Sequence, residues 1–316
     1  MRNRRDRPLK PALLIVQPHL GFLGPILEGD YTVWRFWEGP PIEAVNTIAA
    51  LVVAGEFPVD KQLAESLPKL GLIACFTSGF DGVDLDWAGA RGLQVSHSPG
   101  VNHEDVADHA FGLVLAAWRK IVQGDRDLRS GDWKPTAKTV TTSLGGRRLG
   151  IVGLGAIGAA IARRGEAFGL ATAWWGPREK PDAPWPRRES LVALAGESDI
   201  LVVACRASPE TAGLITRDIV EALGPGGLLV NVSRGQVVDE DAVIAALRSG
   251  ALGMAALDVF QQEPTPPARW ANVPNVVLTP HMAGATNAAV PKMVALTREN
   301  LRRFFAGEAL ANSARG

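Results

Sequence analysis

Only two cysteines occur in 316 residues, Cys75 and Cys205, far apart and each closing an apolar run that reads as a buried strand. A disulfide framework is therefore not expected, and a reducing, cytoplasmic setting fits. An excess of charge of one sign is missing too. Thirty-three Lys plus Arg stand against 33 Asp plus Glu, which removes any whole-surface attraction to nucleic acid or to an anionic membrane. No apolar stretch nears the ~20 residues needed to cross a bilayer. Nor is a secretory leader expected, because Arg2, Arg4, Arg5 and Arg7 run into Pro8, Lys10 and Pro11, which interrupt any apolar core of ~7 to 15 residues. Those arginines read as a solvated terminus or as a basic arm for an acidic partner. Internal repeats and low-complexity tracts are absent.

What the chain does contain is an ordinary globular composition, 47% apolar and 21% charged, at a length that suits two packed domains. Short Val-, Ile- and Leu-rich runs alternate with amphipathic stretches, the rhythm of parallel strands joined by crossover helices, so the fold class is α/β. In the first third, strands are expected at Ala12 to Val16, Ile48 to Val53, Leu72 to Thr77 and Leu93 to Ser96. A single long helix from Asn102 to Leu128 should follow, with His103, Glu104 and Asp105 in its first turn. The rhythm then restarts, with strands at Leu149 to Val152, Ala171 to Trp175, Ile200 to Ala204, Leu228 to Val232, Met254 to Leu257 and Val276 to Thr279. A last helix is expected over Thr286 to Phe305.

Gly153-Leu154-Gly155-Ala156-Ile157-Gly158 lies between the strand ending at Val152 and the helix opening at Ala156. In that setting the glycines permit a tight turn, close approach of backbone to a pyrophosphate, and close helix–strand packing, with the helix N-terminus facing the negative charge. A dinucleotide cofactor is expected. About 20 residues on, an NAD site normally places an acid on the ribose, but this chain reads Trp175-Gly176-Pro177-Arg178-Glu179-Lys180. Arg178 and Lys180 suit a 2′-phosphate, so NADP(H) is expected in preference to NAD(H).

Three polar residues follow the later strands: Arg234 after Leu228 to Val232, Glu263 after Ala256-Leu257-Asp258-Val259-Phe260, and His281 after Val277-Leu278-Thr279-Pro280. All three should emerge at the carboxyl edge that also holds the glycine loop. Arginine offers a planar fork for a carboxylate, histidine can pass a proton near neutral pH, and a neighbouring carboxylate orients the imidazole and favours its charged form. Together these are parts for reducing a 2-oxo acid. His103 and His109 are six residues apart, ~240° around a helix, so no metal clamp is expected. His19 and His97 stand in no motif.

Val232-Ser233-Arg234-Gly235, Ala256 to Phe260 with Glu263-Pro264, and Thr279-Pro280-His281 resemble the D-isomer-specific 2-hydroxyacid dehydrogenases. The likeness extends from Thr77-Ser78-Gly79-Phe80-Asp81-Gly82-Val83-Asp84 through Val106-Ala107-Asp108 to Gly284-Ala285-Thr286. It implies two Rossmann-like doubly wound domains. Residues 1–98 plus 283–316 would form a flavodoxin-like substrate domain, and 99–282 the dinucleotide-binding domain, with a cleft between them. It further implies that Arg234 holds the substrate carboxylate, His281 donates the proton, Glu263 supports His281, and Asp258 meets the nicotinamide carboxamide. Ser78, Gly79 and Phe80 resemble the substrate loop. Cys205, Arg206, Thr211, Val232, Ser233 and Gly284 fall at cofactor positions, although Arg206 stands where the family often has Pro, and it reads equally as a solvated loop charge. A homodimer built on the long helix and Gly131-Asp132-Trp133 is implied, with Trp133 as a plain packing anchor the other reading.

Within the family, Gly79-Phe80-Asp81-Gly82 and Asp105-Val106-Ala107-Asp108-His109 look most like glyoxylate/hydroxypyruvate reductases, with hydroxyphenylpyruvate reductases the alternative. Phe80 either lines the pocket that would separate the two or packs its loop. From a different class, a dinucleotide-sensing co-repressor-like scaffold shares such a fold.

Overall fold

The computed structural model describes residues 10–134 and 140–314; the N-terminal arginines lie outside the described residues. Contacts divide these residues into two compact units, one within Met1–Val101 and Asn287–Gly316, the other spanning Asn102–Thr286.

The first unit is a five-stranded parallel sheet: β1 (Ala12–Ile15), β2 (Thr32–Arg35), β3 (Ile48–Val53), β4 (Leu72–Cys75) and β5 (Gln94–Ser96), in the order β2-β1-β3-β4-β5. This is the flavodoxin-like doubly wound order. Residues alternate between faces as the pleat requires. Leu13, Ile15, Ala50, Val52, Leu72 and Ala74 pack towards the C-terminal helix through Met293 and Leu301, while Leu14, Leu51, Val53, Ile73 and Cys75 pack with Ala64 and Ala88 of two short helices. Strand β2 has no counterpart among the four expected here. It is a four-residue edge strand whose side chains are all at least half-exposed or intermediate, so it lacks the buried apolar run by which a strand announces itself.

In the second unit six parallel strands, β6 (Arg148–Val152), β7 (Ala171–Trp175), β8 (Ile200–Val203), β9 (Leu228–Asn231), β10 (Met254–Leu257) and β11 (Val276–Leu278), run in the order β11-β10-β9-β8-β6-β7. A single parallel bridge joins Arg187 to Trp174, with Trp174 N donating to Pro186 O and Arg188 N to Trp174 O. That segment occupies the place of the third strand in a Rossmann sheet, so the chain reverses direction across the sheet between β6 and β8, where dinucleotides bind. One face buries Ile151, Val202, Val230 and Ala256 under the helices His103–Trp118 and Ala156–Ala167. The other buries Val152, Leu201, Val203 and Leu229 with Leu194, Val220 and Val243.

The long helix expected from Asn102 to Leu128 is two helices, His103–Trp118 and Ile121–Ser130. Lys120 adopts φ +53° between them, a left-handed conformation that ends a helix. The second helix buries no side chain. The last helix starts at Ala289 rather than Thr286, because the Thr286 hydroxyl donates to Asp105 Oδ1 at 2.8 Å in the second unit.

Both cysteines are free. Burial pushes the Cys75 thiol up to about 12 and the Cys205 thiol up to about 11. Since the thiolate is the nucleophile, both should alkylate with iodoacetamide at pH 8 more than about 100-fold slower than an exposed cysteine. Mass spectrometry of a time course checks this, and labelling at the free-thiol rate would contradict it.

Candidate active site

The glycine loop sits at the carboxyl end of β6. Gly153 has φ +93°, and a Cβ there would stand 2.6 Å from Cys205 Cα, so glycine is required where the ends of β6 and β8 approach. Its N–H donates to Trp175 O at 2.8 Å, which ties the loop to the end of β7. Gly158 packs against Gly153 O, whereas a Cβ on Gly155 would meet nothing within 4 Å. Gly155 is the N-cap of the 12-residue helix and no side chain caps it. Gly155 and Ala156 are exposed and Ile157 half-buried. An open, uncapped helix N-terminus beside a glycine is the cradle a pyrophosphate fits.

Beyond β7, Gly176 is buried while Pro177, Arg178, Glu179 and Lys180 are exposed. Lys180 Nζ donates to Leu154 O, fixing its ammonium against the glycine loop. Arg187 donates to Gly176 O through Nε and Nη2, at 3.1 and 2.8 Å, with its guanidinium 6.0 Å from the Trp174 ring. This arginine escaped the sequence reading because it belongs to no strand long enough to recognise. After β8, the Thr211 hydroxyl donates to Arg206 O at 2.9 Å and closes the loop that follows Cys205, leaving Arg206 exposed.

Arg234, Glu263 and His281 follow β9, β10 and β11, three neighbouring parallel strands in which Leu257 is in register with both Asn231 and Leu278. Adjacent strands lie ~4.8 Å apart, so the three loops leave one edge side by side. Val232 and Ser233 are buried. Buried Asn231 shapes the first loop: its Oδ1 accepts from Ser233 N and Oγ at 3.0 and 3.1 Å, and its Nδ2 donates to Arg234 O at 3.0 Å. Arg234 Nη1 donates to Ser233 O at 2.8 Å. A Cβ on Gly235 would stand 1.8 Å from the Phe260 carbonyl carbon, so glycine lets this loop press against the next one.

Glu263 Oε1 accepts from Phe260 N at 2.9 Å and Oε2 meets His281 Nδ1 at 2.6 Å. A carboxylate only accepts, so Nδ1 carries the hydrogen. Glu240, 2% exposed, buttresses the Glu263 loop by accepting from Gln261 N and from Arg269 Nε at 2.9 Å. In sequence it is one more acid in a helix's first turn.

Asp258, expected to meet the nicotinamide carboxamide, is 1% exposed. Oδ1 accepts from the Thr279 hydroxyl at 2.6 Å and Met282 N at 3.0 Å, and Oδ2 from Ala283 N at 3.0 Å. It holds the turn that carries His281. His281 N donates to Asp258 O at 2.7 Å, and the residue sits at φ +48°, a left-handed conformation costing a non-glycine ~1 to 2 kcal/mol. Gly284 lies under Asn102, whose Nδ2 a Cβ would approach to 2.3 Å.

Ser78, Gly79 and Phe80 belong to the first unit, in the loop after β4. Ser78 Oγ donates to Ser98 O at 2.7 Å, and His97 Nδ1 donates to Ser78 O at 3.0 Å. Phe80 packs edge-on to His97 with ring centroids 4.7 Å apart. Trp133 is 70% exposed and anchors nothing among the described residues.

A Rossmann sheet with an open glycine cradle and a carboxylate-bound histidine at the same edge defines a nucleotide-dependent oxidoreductase. The comparisons carry this to a family. Residues 111–283 match the D-isomer-specific 2-hydroxyacid dehydrogenase NAD-binding domain. The chain is 40% identical over 304 residues to a glyoxylate/hydroxypyruvate reductase of Arabidopsis thaliana, covering 95% of this chain and 97% of that one. It is 39% identical to a hydroxyphenylpyruvate reductase of Plectranthus scutellarioides over the same shares. The structure of an NADPH-dependent glyoxylate/hydroxypyruvate reductase from Sinorhizobium meliloti, in complex with NADP and malonate, superposes with TM-score 0.88 at 33% identity, covering 97% of each chain. The chain belongs to the D-isomer-specific 2-hydroxyacid dehydrogenases.

Burial pushes the Asp258 carboxyl up, but the bonds from His109, Thr279, Met282 and Ala283 outweigh it and hold the group below the ordinary aspartate range. A depressed folded value stabilises above the unfolded pKa of ~3.9, and that stability is lost as pH falls through the folded value. Asp258→Asn should therefore lose about 2 kcal/mol at pH 7, with the gap to wild type narrowing below pH ~4. Thermal melts at pH 7 and 3.5 test this, and a gap independent of pH would contradict it.

Proposed function

We propose that the protein reduces small 2-oxo acids of the glyoxylate/hydroxypyruvate type to D-2-hydroxy acids with NADPH. The observation that carries the reading is the 2.6 Å Glu263–His281 pair on the strand edge that also bears Arg234. When bound, the reduced nicotinamide supplies a hydride to the carbonyl carbon. Arg234 grips the substrate carboxylate through its planar fork and stabilises charge growing on the carbonyl oxygen. His281 delivers the Nε2 proton to that oxygen, while ionised Glu263 keeps Nδ1–H in place and stabilises the imidazolium beforehand. The loop Ser78 to Phe80, with its backbone N–H groups, binds substrate, which makes Met1–Val101 with Asn287–Gly316 the substrate domain.

Preference for NADPH rests on the end of β7, where Gly176 and Pro177 rather than an acid directly follow the strand and Arg178 is exposed with no hydrogen bond or ion pair to the described residues, while Lys180 is tethered to the glycine loop. A second reading, an arylpyruvate reductase, is favoured by the ring pairs His19–Phe57 and Phe80–His97 in the loops of the first sheet's carboxyl edge. No helix among the described residues is long and apolar enough to cross a membrane; a cytoplasmic enzyme is the proposed setting. The large apolar side chains left exposed at Ile121, Leu128, Trp133 and Val140 support a homodimer, since exposed apolar surface of this kind marks association.

Initial rates at pH 7 with glyoxylate, hydroxypyruvate and phenylpyruvate, each with NADPH and NADH, test the assignment. NADPH should win by about tenfold or more, ~1.4 kcal/mol, and Arg178→Ala should erase most of that margin. Arg234→Ala and His281→Ala should each fall at least ~10²-fold. A wild type that favours NADH contradicts the cofactor assignment, and cofactor binding without turnover of any substrate favours a sensing scaffold.

A further inference from the structure

We propose that His109, a residue given no role above, is a positioning residue for the His281 turn. Its Nε2 lies 2.9 Å from the Thr279 hydroxyl oxygen and 3.3 Å from Asp258 Oδ1. The Thr279 hydroxyl has one hydrogen, and at 2.6 Å from an ionised carboxylate oxygen that hydrogen goes to Asp258. Nε2 therefore faces two oxygens with nothing to give it, and it must itself carry a hydrogen. His109 is fixed as the Nε2–H tautomer and donates to Thr279. A relay results: His109 orients Thr279, Thr279 and the Met282 and Ala283 amides pin Asp258, and the backbone of Asp258 accepts from His281 N. Chained donors of this kind polarise one another and rigidify what they hold.

What they hold is the left-handed backbone of His281, φ +48°, which relaxes to an ordinary conformation unless its surroundings impose it. The helix His103–Trp118 thereby sets the aim of the imidazole from behind the sheet edge, without touching substrate. His109 and Thr279 both line a cavity of about 700 Å³ with Leu113 and Trp270, so a side chain of similar size at position 109 meets no overpacking.

The inference rests on the proposed reductase reading, and its test separates the two. With NADPH and glyoxylate, His109→Leu should lower kcat about five- to twentyfold with the NADPH dissociation constant unchanged within twofold. His109→Gln, which keeps an N–H donor, should recover to within about threefold of wild type. In the protein without cofactor, Met282 and Ala283 amide hydrogen exchange should accelerate at least about tenfold in the Leu variant and not in the Gln variant. Long-range nitrogen-15 NMR should find the Nε2–H tautomer. Wild-type kcat in His109→Leu, an equal loss in both variants, or an Nδ1–H tautomer would each overturn the proposal. Should the Leu variant fail to fold, Thr279→Ser and Thr279→Val decide: Ser should stay near wild type and Val should show the loss, while a Val variant as active as Ser overturns it. Absence of turnover in wild type would instead sink the reductase reading, leaving the exchange and tautomer results to judge His109.

Discussion

A carboxylate at 1% exposure, Asp258, is the constraint from which the site follows. Burying such a charge without partners costs several kcal/mol, so the chain must bring donors to it. It does so by folding the segment after β11 back over the end of β10, where a hydroxyl and two amides converge on the two oxygens. That fold-back leaves His281 in a conformation it would not choose alone. The same loop system puts Glu263 within 2.6 Å of the imidazole. Asp258 thus holds the turn, and Glu263 holds the imidazole.

The neighbouring loops repeat the device with other groups. Asn231 staples the turn before Arg234 with three bonds, and Glu240 braces the turn before Glu263 from a helix N-terminus. Arg234, Glu263 and His281 therefore each project from a loop whose backbone is held by a buried polar residue. A preorganised donor matters because charge develops at the carbonyl oxygen faster than a loose loop can reorganise around it.

Sequence patterning carried the sheet cores well, because buried parallel strands are nearly continuous apolar runs: Ile48–Val53, Ala171–Trp175 and Met254–Leu257 fall where the pattern puts them. It missed β2, a half-exposed edge strand, and it fused two helices because a left-handed Lys120 has no compositional signature. Arg234, Glu263 and His281 were legible as strand-end residues of one edge. Their supports were not, since Asn231, Glu240 and His109 gain their roles only from partners far away in the chain, at separations such as the 170 residues between His109 and Thr279. The three donors to Asp258 were illegible for the same reason: they come from the next loop.

The proposed reduction turns on Glu263 holding His281 as proton donor. The pH dependence of kcat/KM for glyoxylate, measured on wild type and Glu263→Gln, tests it most directly. Reduction consumes the imidazolium proton, so the rate falls as pH rises past the histidine's titration; without the carboxylate the charged form is less favoured, and the alkaline limb should move to lower pH by about one unit or more, ~1.36 kcal/mol per unit. A variant whose limb stays where the wild type's lies would contradict the account, whatever its absolute rate.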